Sequence, residues 1–212
     1  MAFKIGQNKM VQYKYKPKTG YDLKDIITNK IINEWDGTSE FDLTDIDTSE
    51  VDKFNGLFFD PAYSKFFDKL KIINVSTWDT SKVTEIMSCF FHCNSLEKII
   101  GIEDWDVSKV RDMRQCFMFC RSLKSIDLSK WNVRNVRNMN QMFAHCEKLK
   151  EIKGIGDWNV INVTTFWEMF RLCTSLENID LESWKFNVLV KDKSKEDMFD
   201  ACIKLKKLPS WY

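Results

Sequence analysis

Apolar residues recur along this chain with a period of 26 or 27 residues. Each unit contains, in a fixed order, a tryptophan, a valine or leucine, a methionine-phenylalanine or cysteine-phenylalanine pair, a cysteine, a leucine and an isoleucine or leucine. The last regular unit keeps this order, with Leu189 in the valine position and a three-residue insertion after it. Self-similarity at a period of about 20 to 50 residues predicts a stacked repeat protein. The tryptophans that mark the units are Trp78, Trp105, Trp131, Trp158 and Trp184.

Two periodicities within each unit predict one strand and one short helix. From Leu123 to Trp131, apolar residues alternate with polar ones, which is typical of a half-buried strand. From Val136 to Cys146, apolar residues stand at offsets of 0, 3, 6, 7 and 10, which is typical of one stripe of a helix. Because neither element buries its apolar face alone, neighbouring units are expected to stack.

Stacking of such units predicts an α/β fold, namely a right-handed solenoid like that of leucine-rich repeats. A ribbon of parallel strands is expected on one face and short helices on the other. Thr19 and Asp22 have the spacing of a capping box ahead of an apolar helical stripe, so we expect a helical N-terminal cap. The predicted organisation is an N-terminal segment and capping helix in residues 1–40, a solenoid in residues 41–208, and a C-terminal end in residues 209–212. The solenoid comprises a degenerate first unit and about five regular units, and Met10 is an alternative start to Met1.

Two units are one residue longer than the others, and both contain a glycine before the tryptophan. Gly101 and Gly154 mark these 27-residue units, in which the extra residue predicts a bulge. One interpretation is tolerated length variation, and the other is that alternate repeats are opened to fit a partner. A further insertion carries Tyr63, Phe66 and Phe67, which predicts either a packed loop or an exposed apolar contact.

The segment Leu123–Cys146 resembles the 26-residue repeat of bacterial surface proteins, also called the BspA-like leucine-rich repeat. The resemblance extends over roughly residues 41–208 and is repeated five times. It implies an extended interaction surface, with adhesion as the usual role of exported relatives. It implies no catalytic chemistry.

Charge and hydropathy remove several classes of function. The chain has 32 basic and 31 acidic residues and a net charge of +1, so we expect no binding of nucleic acid. No apolar run has the length of a membrane span, and the first thirty residues lack the core of a secretion signal. These features predict a cytoplasmic protein, although the resemblance leaves the cell surface open. The seven cysteines all occupy predicted inward positions, which favours a reducing compartment.

Metal and catalytic sites are alternatives with little support in the sequence. Cys89, Cys93, Cys116 and Cys120 form two Cys-x-x-x-Cys pairs, enough ligands for tetrahedral zinc, but the repeat explains each of them as a core residue. The two histidines, His92 and His145, occupy a variable repeat position. No nucleophile elbow, phosphate loop or histidine-metal motif is present. We therefore expect a protein that is not an enzyme and has no cofactor.

The solvent side of the strand ribbon is the predicted binding surface, with a protein or peptide of basic character as partner. The alternative interpretation is that this face is an ordinary solvated surface that binds no partner. Three functions stay open: an intracellular interaction module such as an inhibitor or immunity-type binder, a cell-surface adhesin, and a metal-stabilised or catalytic protein. The sequence does not define the partner or the oligomeric state. By strand alternation, the predicted face consists of Ile72, Asn74, Ser76, Lys98, Ile100, Glu103, Ser125, Asp127, Ser129, Glu151, Lys153, Asn178, Asp180 and Glu182.

Overall fold

A computed structural model describes residues 12–37, 40–187, 190 and 192–212. Leu189 and the question of whether Met10 is the start lie outside the described residues. The helices are α1 (Gly20–Asn33) and α2 (Ser64–Phe67), with three short 3-10 helices at Ile102–Asp104, Ile155–Asp157 and Asp192–Lys195. The strands are β1 (Phe41–Asp42), β2 (Ile72–Asn74), β3 (Lys98–Ile100), β4 (Ser125–Asp127) and β5 (Glu151–Lys153).

Parallel pairing joins the strands of neighbouring repeats. β1 pairs with β2 and β2 with β3, and separately β4 pairs with β5. The central residue of each three-residue strand, such as Ile73 or Ile126, is buried while its two neighbours face solvent, because successive strand side chains point to opposite faces. A second parallel column, here called the bridge column, runs through single bridges between Lys53, Glu85, Asp112, Asn138 and Thr165.

Stacked aromatic rings fill the core between these two columns. Phe90, Phe117, Phe143 and Phe170 stack at centroid distances of 5.5, 5.3 and 5.8 Å. The indoles of Trp78, Trp105, Trp131 and Trp158 stack at 6.0, 6.5 and 6.4 Å. Trp211, which the repeat pattern did not include, stacks on Trp184 at 6.2 Å and lies 27 residues after it. The repeat therefore continues one tryptophan further than the sequence analysis placed it.

The segments predicted as short helices are series of turns instead. From Trp78 to Asn187 the described chain contains 3-10 and turn conformations but no α-helix. Two residues in each unit, for example Gln115 and Phe119, have positive φ angles of 57° and 66°, which a right-handed helix does not accommodate. Alternate residues, these two included, direct backbone amides to the next repeat, as Phe117 N–H does to the Met142 carbonyl at 2.9 Å. The apolar residues spaced three apart in each repeat therefore belong to successive turns and not to one face of a helix.

Two strand expectations also differ from the structure. Residues 177–181, which the pattern predicts as a strand, are not in a strand ladder, and neither are residues 205–208. Both segments lie beyond β5, toward the C-terminal end of the described chain.

The N-terminal helix α1 covers the first repeat. The predicted capping box is present, because the Thr19 hydroxyl accepts from Asp22 N–H and the Asp22 carboxylate accepts from Thr19 N–H. Leu23, Ile27 and Ile31 are buried against the repeats. In the inserted segment before β2, Phe67 is buried and Phe66 packs partly against the core, whereas Tyr63 is exposed. That insertion is therefore mainly a packed loop.

Candidate interaction surface

The fourteen predicted residues all have solvent-accessible side chains and form what is here called the ribbon face. Strand register places Ile72 beside Lys98 and Asn74 beside Ile100. The same register places Ser125 beside Glu151 and Asp127 beside Lys153. None of the fourteen falls in the buried class, although Ile72, Asn74, Ile100, Glu103 and Asp127 are half-buried. Strand register therefore places eight of the fourteen residues side by side, in two groups of four.

Three of these residues shape the backbone as well as the surface. Asn74, Asp127 and Asp180 each accept a hydrogen bond from the N–H two residues later, at 3.1, 3.1 and 3.2 Å. Such bonds hold a tight turn at the end of each strand segment. The hydrogen bond from the Ser129 hydroxyl also lowers the pKa of the Asp127 carboxyl group. Substitutions at these positions would alter the turn, so they are poor probes of binding.

Strand pairing is interrupted after each 27-residue unit. Within the described residues, no ladder joins β3 to β4, and none joins β5 to residues 178–180. Each break follows a glycine in the left-handed region, Gly101 at φ 89° or Gly154 at φ 78°, and a 3-10 turn. A Cβ atom on Gly154 would lie 2.2 Å from Ser129 Cα. The extra residue thus brings the backbone against the preceding repeat, and the strand ladder to the following repeat is lost.

Side chains bridge the two openings where backbone pairing is absent. The indole N–H of Trp131 donates to the Ile102 carbonyl, and that of Trp184 donates to the Ile155 carbonyl, both at 2.9 Å. In the paired intervals the corresponding bond varies, since Trp78 donates to the Leu43 carbonyl at 3.0 Å and Trp158 is 3.5 Å from the Leu128 carbonyl. The buried indole N–H of Trp105 has no partner among the described residues. The indole bonds therefore link neighbouring repeats across the openings.

The second opening contains the β5 groove, defined by residues of segments 150–157 and 176–183. Its volume is about 550 Å³, and a smaller groove of about 380 Å³ lies on the other side of residues 178–182. Within the described residues, Trp158 and Trp184 lack the indole stacking seen between other consecutive repeats. Phe143 and Phe170 remain stacked at 5.8 Å, so the turn side of the same interval stays closed. The sequence analysis raised such openings as one of two interpretations of the glycines.

A cluster of basic side chains lies on the side of the molecule that carries the bridge column, and the sequence analysis missed it. Arg137 N–H donates to the Arg111 carbonyl at 2.9 Å, so these two exposed arginines are neighbours in adjacent repeats. Arg114 pairs with Asp112 at 3.2 Å. The net charge of +1 gave no sign of this local excess of positive charge. It becomes visible only when residues at the same position in successive repeats are compared. The exposed bases are Lys109, Arg111, Arg114, Arg134 and Arg137.

The histidines lie in a half-buried stack of rings rather than in a pocket. His92, Phe119 and His145 are consecutive, with centroids 4.2 and 4.3 Å apart. Burial lowers the pKa of both histidines, and the nearby positive charge of Arg121 adds to the effect. Because each ring face covers another ring, the imidazoles are arranged for packing between repeats.

The cysteines form a ladder of hydrogen bonds between repeats. The thiol of Cys146 donates to the Phe117 carbonyl and that of Cys173 to the Phe143 carbonyl, both at 3.1 Å. Burial raises the pKa of these thiols. Within the described residues, no group of three or more histidine, cysteine, aspartate or glutamate residues is placed to hold a metal ion. The structure thus gives each repeat cysteine a role in stacking.

Residues 61–153 and residues 98–211 each match a protein family described as "Mycoplasma protein of unknown function, DUF285". Together the two matches extend over 151 of the 212 residues, from residue 61 to residue 211. No curated protein and no solved structure matches the chain. Among the described residues there is no helix of sufficient length and apolar character to span a membrane.

Proposed function

We propose that this chain, which belongs to the family described as "Mycoplasma protein of unknown function, DUF285", is a non-enzymatic module that binds a protein or peptide through its ribbon face. Its repeats are proposed to form one continuous right-handed solenoid of the leucine-rich-repeat type. Strands β1, β2 and β3 form one parallel sheet, and β4 pairs with β5 in a second. These pairings and the continuous phenylalanine stack support this architecture.

The observation that carries the proposed function is the register of the ribbon face. Neighbouring repeats place exposed side chains side by side, and paired backbones hold them in fixed positions. The surface combines apolar contacts at Ile72 and Ile100 with charged groups such as Lys98 and Glu151. A mixed apolar and polar surface on a preorganised backbone is suited to a protein partner, since little conformational freedom is lost on binding.

Closer kinship to BspA-like repeats and an intracellular location are parts of the same proposal. The repeat segment Leu123–Cys146, which resembles the BspA-like repeat, supports the kinship. The thiol ladder supports a reducing compartment, because the hydrogen bond from Cys146 to the Phe117 carbonyl requires a protonated thiol. An inhibitor or immunity-type role fits this location, whereas an adhesin would meet its partner outside the cell.

The test compares two double variants that carry the same change in charge. K98E/K153E alters the ribbon face and R111E/R137E alters the side that carries the bridge column, and all four side chains are exposed. Immobilised wild type and both variants are incubated with a cytosolic extract of the native host, and separately with material from surfaces the host contacts. Bound proteins are quantified by mass spectrometry, and circular dichroism checks that the variants fold.

We expect a basic partner from the cytosolic extract that K98E/K153E captures in larger amount than wild type, because the added carboxylates attract it, and that R111E/R137E captures as wild type does. Capture by K98E/K153E equal to that by wild type would overturn the ribbon face as the binding site. A partner found only in the surface material would replace the intracellular module with an adhesin. Absence of any saturable partner from both sources would overturn the binding function itself.

A further inference from the structure

We infer that the β5 groove is the docking site for an extended peptide segment that bears arginine, an inference that rests on the proposed binding function. The groove lies within the ribbon face but has features that the rest of the face lacks. Its position is set by Gly154 and the 3-10 turn Ile155–Asp157, which accompany the end of the strand ladder at β5.

The backbone beside the groove has unused hydrogen-bonding groups. Asn178, Ile179 and Asp180 make no backbone hydrogen bond with any described residue, although the equivalent residues in β2 to β5 belong to ladders. These three residues separate the groove of about 550 Å³ from the smaller one of about 380 Å³. An extended peptide can satisfy such groups by adding its own backbone beside them. The unpaired segment therefore indicates an extended rather than a helical partner.

The lining of the β5 groove determines the charge of that partner. Four carboxylates and one lysine line it, namely Glu151, Asp157, Asp180, Glu182 and Lys150. Glu182 is already engaged by Ser210 and by Lys207 at 3.6 Å, whereas Glu151 and Asp157 have no side-chain partner among the described residues. Two free carboxylates therefore remain available to a cation on the partner.

An arginine side chain fits this combination better than a compact cation. Its aliphatic part can lie against the apolar floor formed by Ile152, Ile155 and Ile179. Its guanidinium carries five donors in a planar fork, enough to bond a carboxylate and the free carbonyl groups of residues 178–180 together. An ammonium group offers only three donors around a point charge, so a lysine peptide is expected to bind more weakly.

The experiment measures binding of a fluorescein-labelled nonapeptide in which arginine alternates with threonine. Fluorescence anisotropy gives its Kd at 50 and 300 mM salt for wild type, for E151Q/D157N and for the control D52N/E97Q. Both double variants remove two exposed carboxylates, but only the first pair lines the groove. A peptide with citrulline in place of arginine keeps the shape of the side chain and removes its charge. Hydrogen exchange of the wild-type complex reports on the amides of residues 178–180.

E151Q/D157N should weaken binding roughly 2- to 30-fold, the range for two exposed ion pairs, while D52N/E97Q stays within about twofold of wild type. The citrulline peptide should lose most of the affinity, and the amides of residues 178–180 should gain protection in the arginine complex. Equal Kd values for both double variants, or unchanged exchange at residues 178–180 in a saturated complex, would overturn the inference. Absence of peptide binding would also overturn it, whereas the proposed function would still be judged by K98E/K153E and R111E/R137E.

Discussion

At the scale of single residues, the recurrent cysteine has a physical explanation beyond its size. The buried thiol donates to a carbonyl of the preceding repeat, as Cys120 does to Phe90 at 3.3 Å. Serine would place a more polar group in the core, and alanine would donate no hydrogen bond. The sequence predicted that these residues are buried, but their hydrogen bonds depend on how repeats align, which periodicity alone does not reveal.

We expect alkylation of the native thiols to be slow and ordered. Six of the cysteines are fully buried, and burial raises the pKa of their thiols, which suppresses the reactive thiolate. Cys202 lies in the last repeat, is 9% exposed, and has its pKa raised only to about 11. Iodoacetamide at pH 8 should therefore modify Cys202 first, as followed by peptide mass spectrometry. Initial labelling of Cys120 or Cys146 instead would contradict the described packing.

The ring stack predicts a dependence of stability on pH. Burial lowers the pKa of His92 and His145 in the folded protein, so below pH 6.5 the unfolded chain binds protons more readily than the folded one. The contribution of these groups to the free energy of unfolding therefore falls as pH decreases through 6.5. H92F/H145F, which copies the ring already present at Phe119, should reduce this loss.

Urea unfolding of wild type and H92F/H145F at pH 5.5 and pH 7.5 measures the effect. The difference between the two pH values should be smaller in the variant, while carboxyl groups such as Glu34 contribute equally to both proteins. An identical difference in both proteins would show that these histidines are not responsible.

At the scale of elements, the apolar spacing was ambiguous between helix and turns. From Val136 to Cys146 the offsets suit either one stripe of a helix or successive three-residue turns. The structure takes the turns, because they free alternate amides for the next repeat, as in Phe143 N–H to the Met169 carbonyl at 2.9 Å. The capping helix was predictable, since Thr19 and Asp22 carry a local signal that needs no knowledge of the neighbouring repeats.

The openings should close when a long unit is shortened to the common length. Replacing residues 153–157, Lys-Gly-Ile-Gly-Asp, with the Asp-Leu-Ser-Lys of residues 127–130 removes both the extra residue and the glycines. The new connection should let residues 178–180 join the ladder after β5, as β5 joins β4. Hydrogen exchange should show new protection at those three amides without any peptide. Unchanged fast exchange in a folded variant would mean that the extra residue does not cause the break.

At the scale of the whole molecule, the sequence predicted which strand positions are solvent-accessible but left the openings as one of two interpretations. Alternation within single strands identified solvent-accessible positions such as Ile72 and Glu182, because that pattern is local. The loss of pairing after β3 and β5 depends on a one-residue difference between units and on close packing of Gly101 and Gly154 against the preceding repeat. The cluster of Arg111 and Arg137 likewise arises only when repeats are stacked. Features that depend on register between repeats therefore needed the structure.

The openings predict that two tryptophans with similar surroundings contribute unequally to coupling along the array. W131F removes an indole bond of 2.9 Å that crosses the β3–β4 opening, whereas W158F removes one of 3.5 Å in the paired β4–β5 interval. Both substitutions reduce the buried ring similarly, so their difference reports on the hydrogen bond, about 0.5–1.5 kcal/mol. We expect W131F to lower the free energy of urea unfolding by that much more than W158F. Because each repeat contacts only its neighbours, W131F should also accelerate hydrogen exchange on both sides of the opening. Equal destabilisation by the two variants would mean that the indole bond across the opening contributes no more than the longer bond in the paired interval.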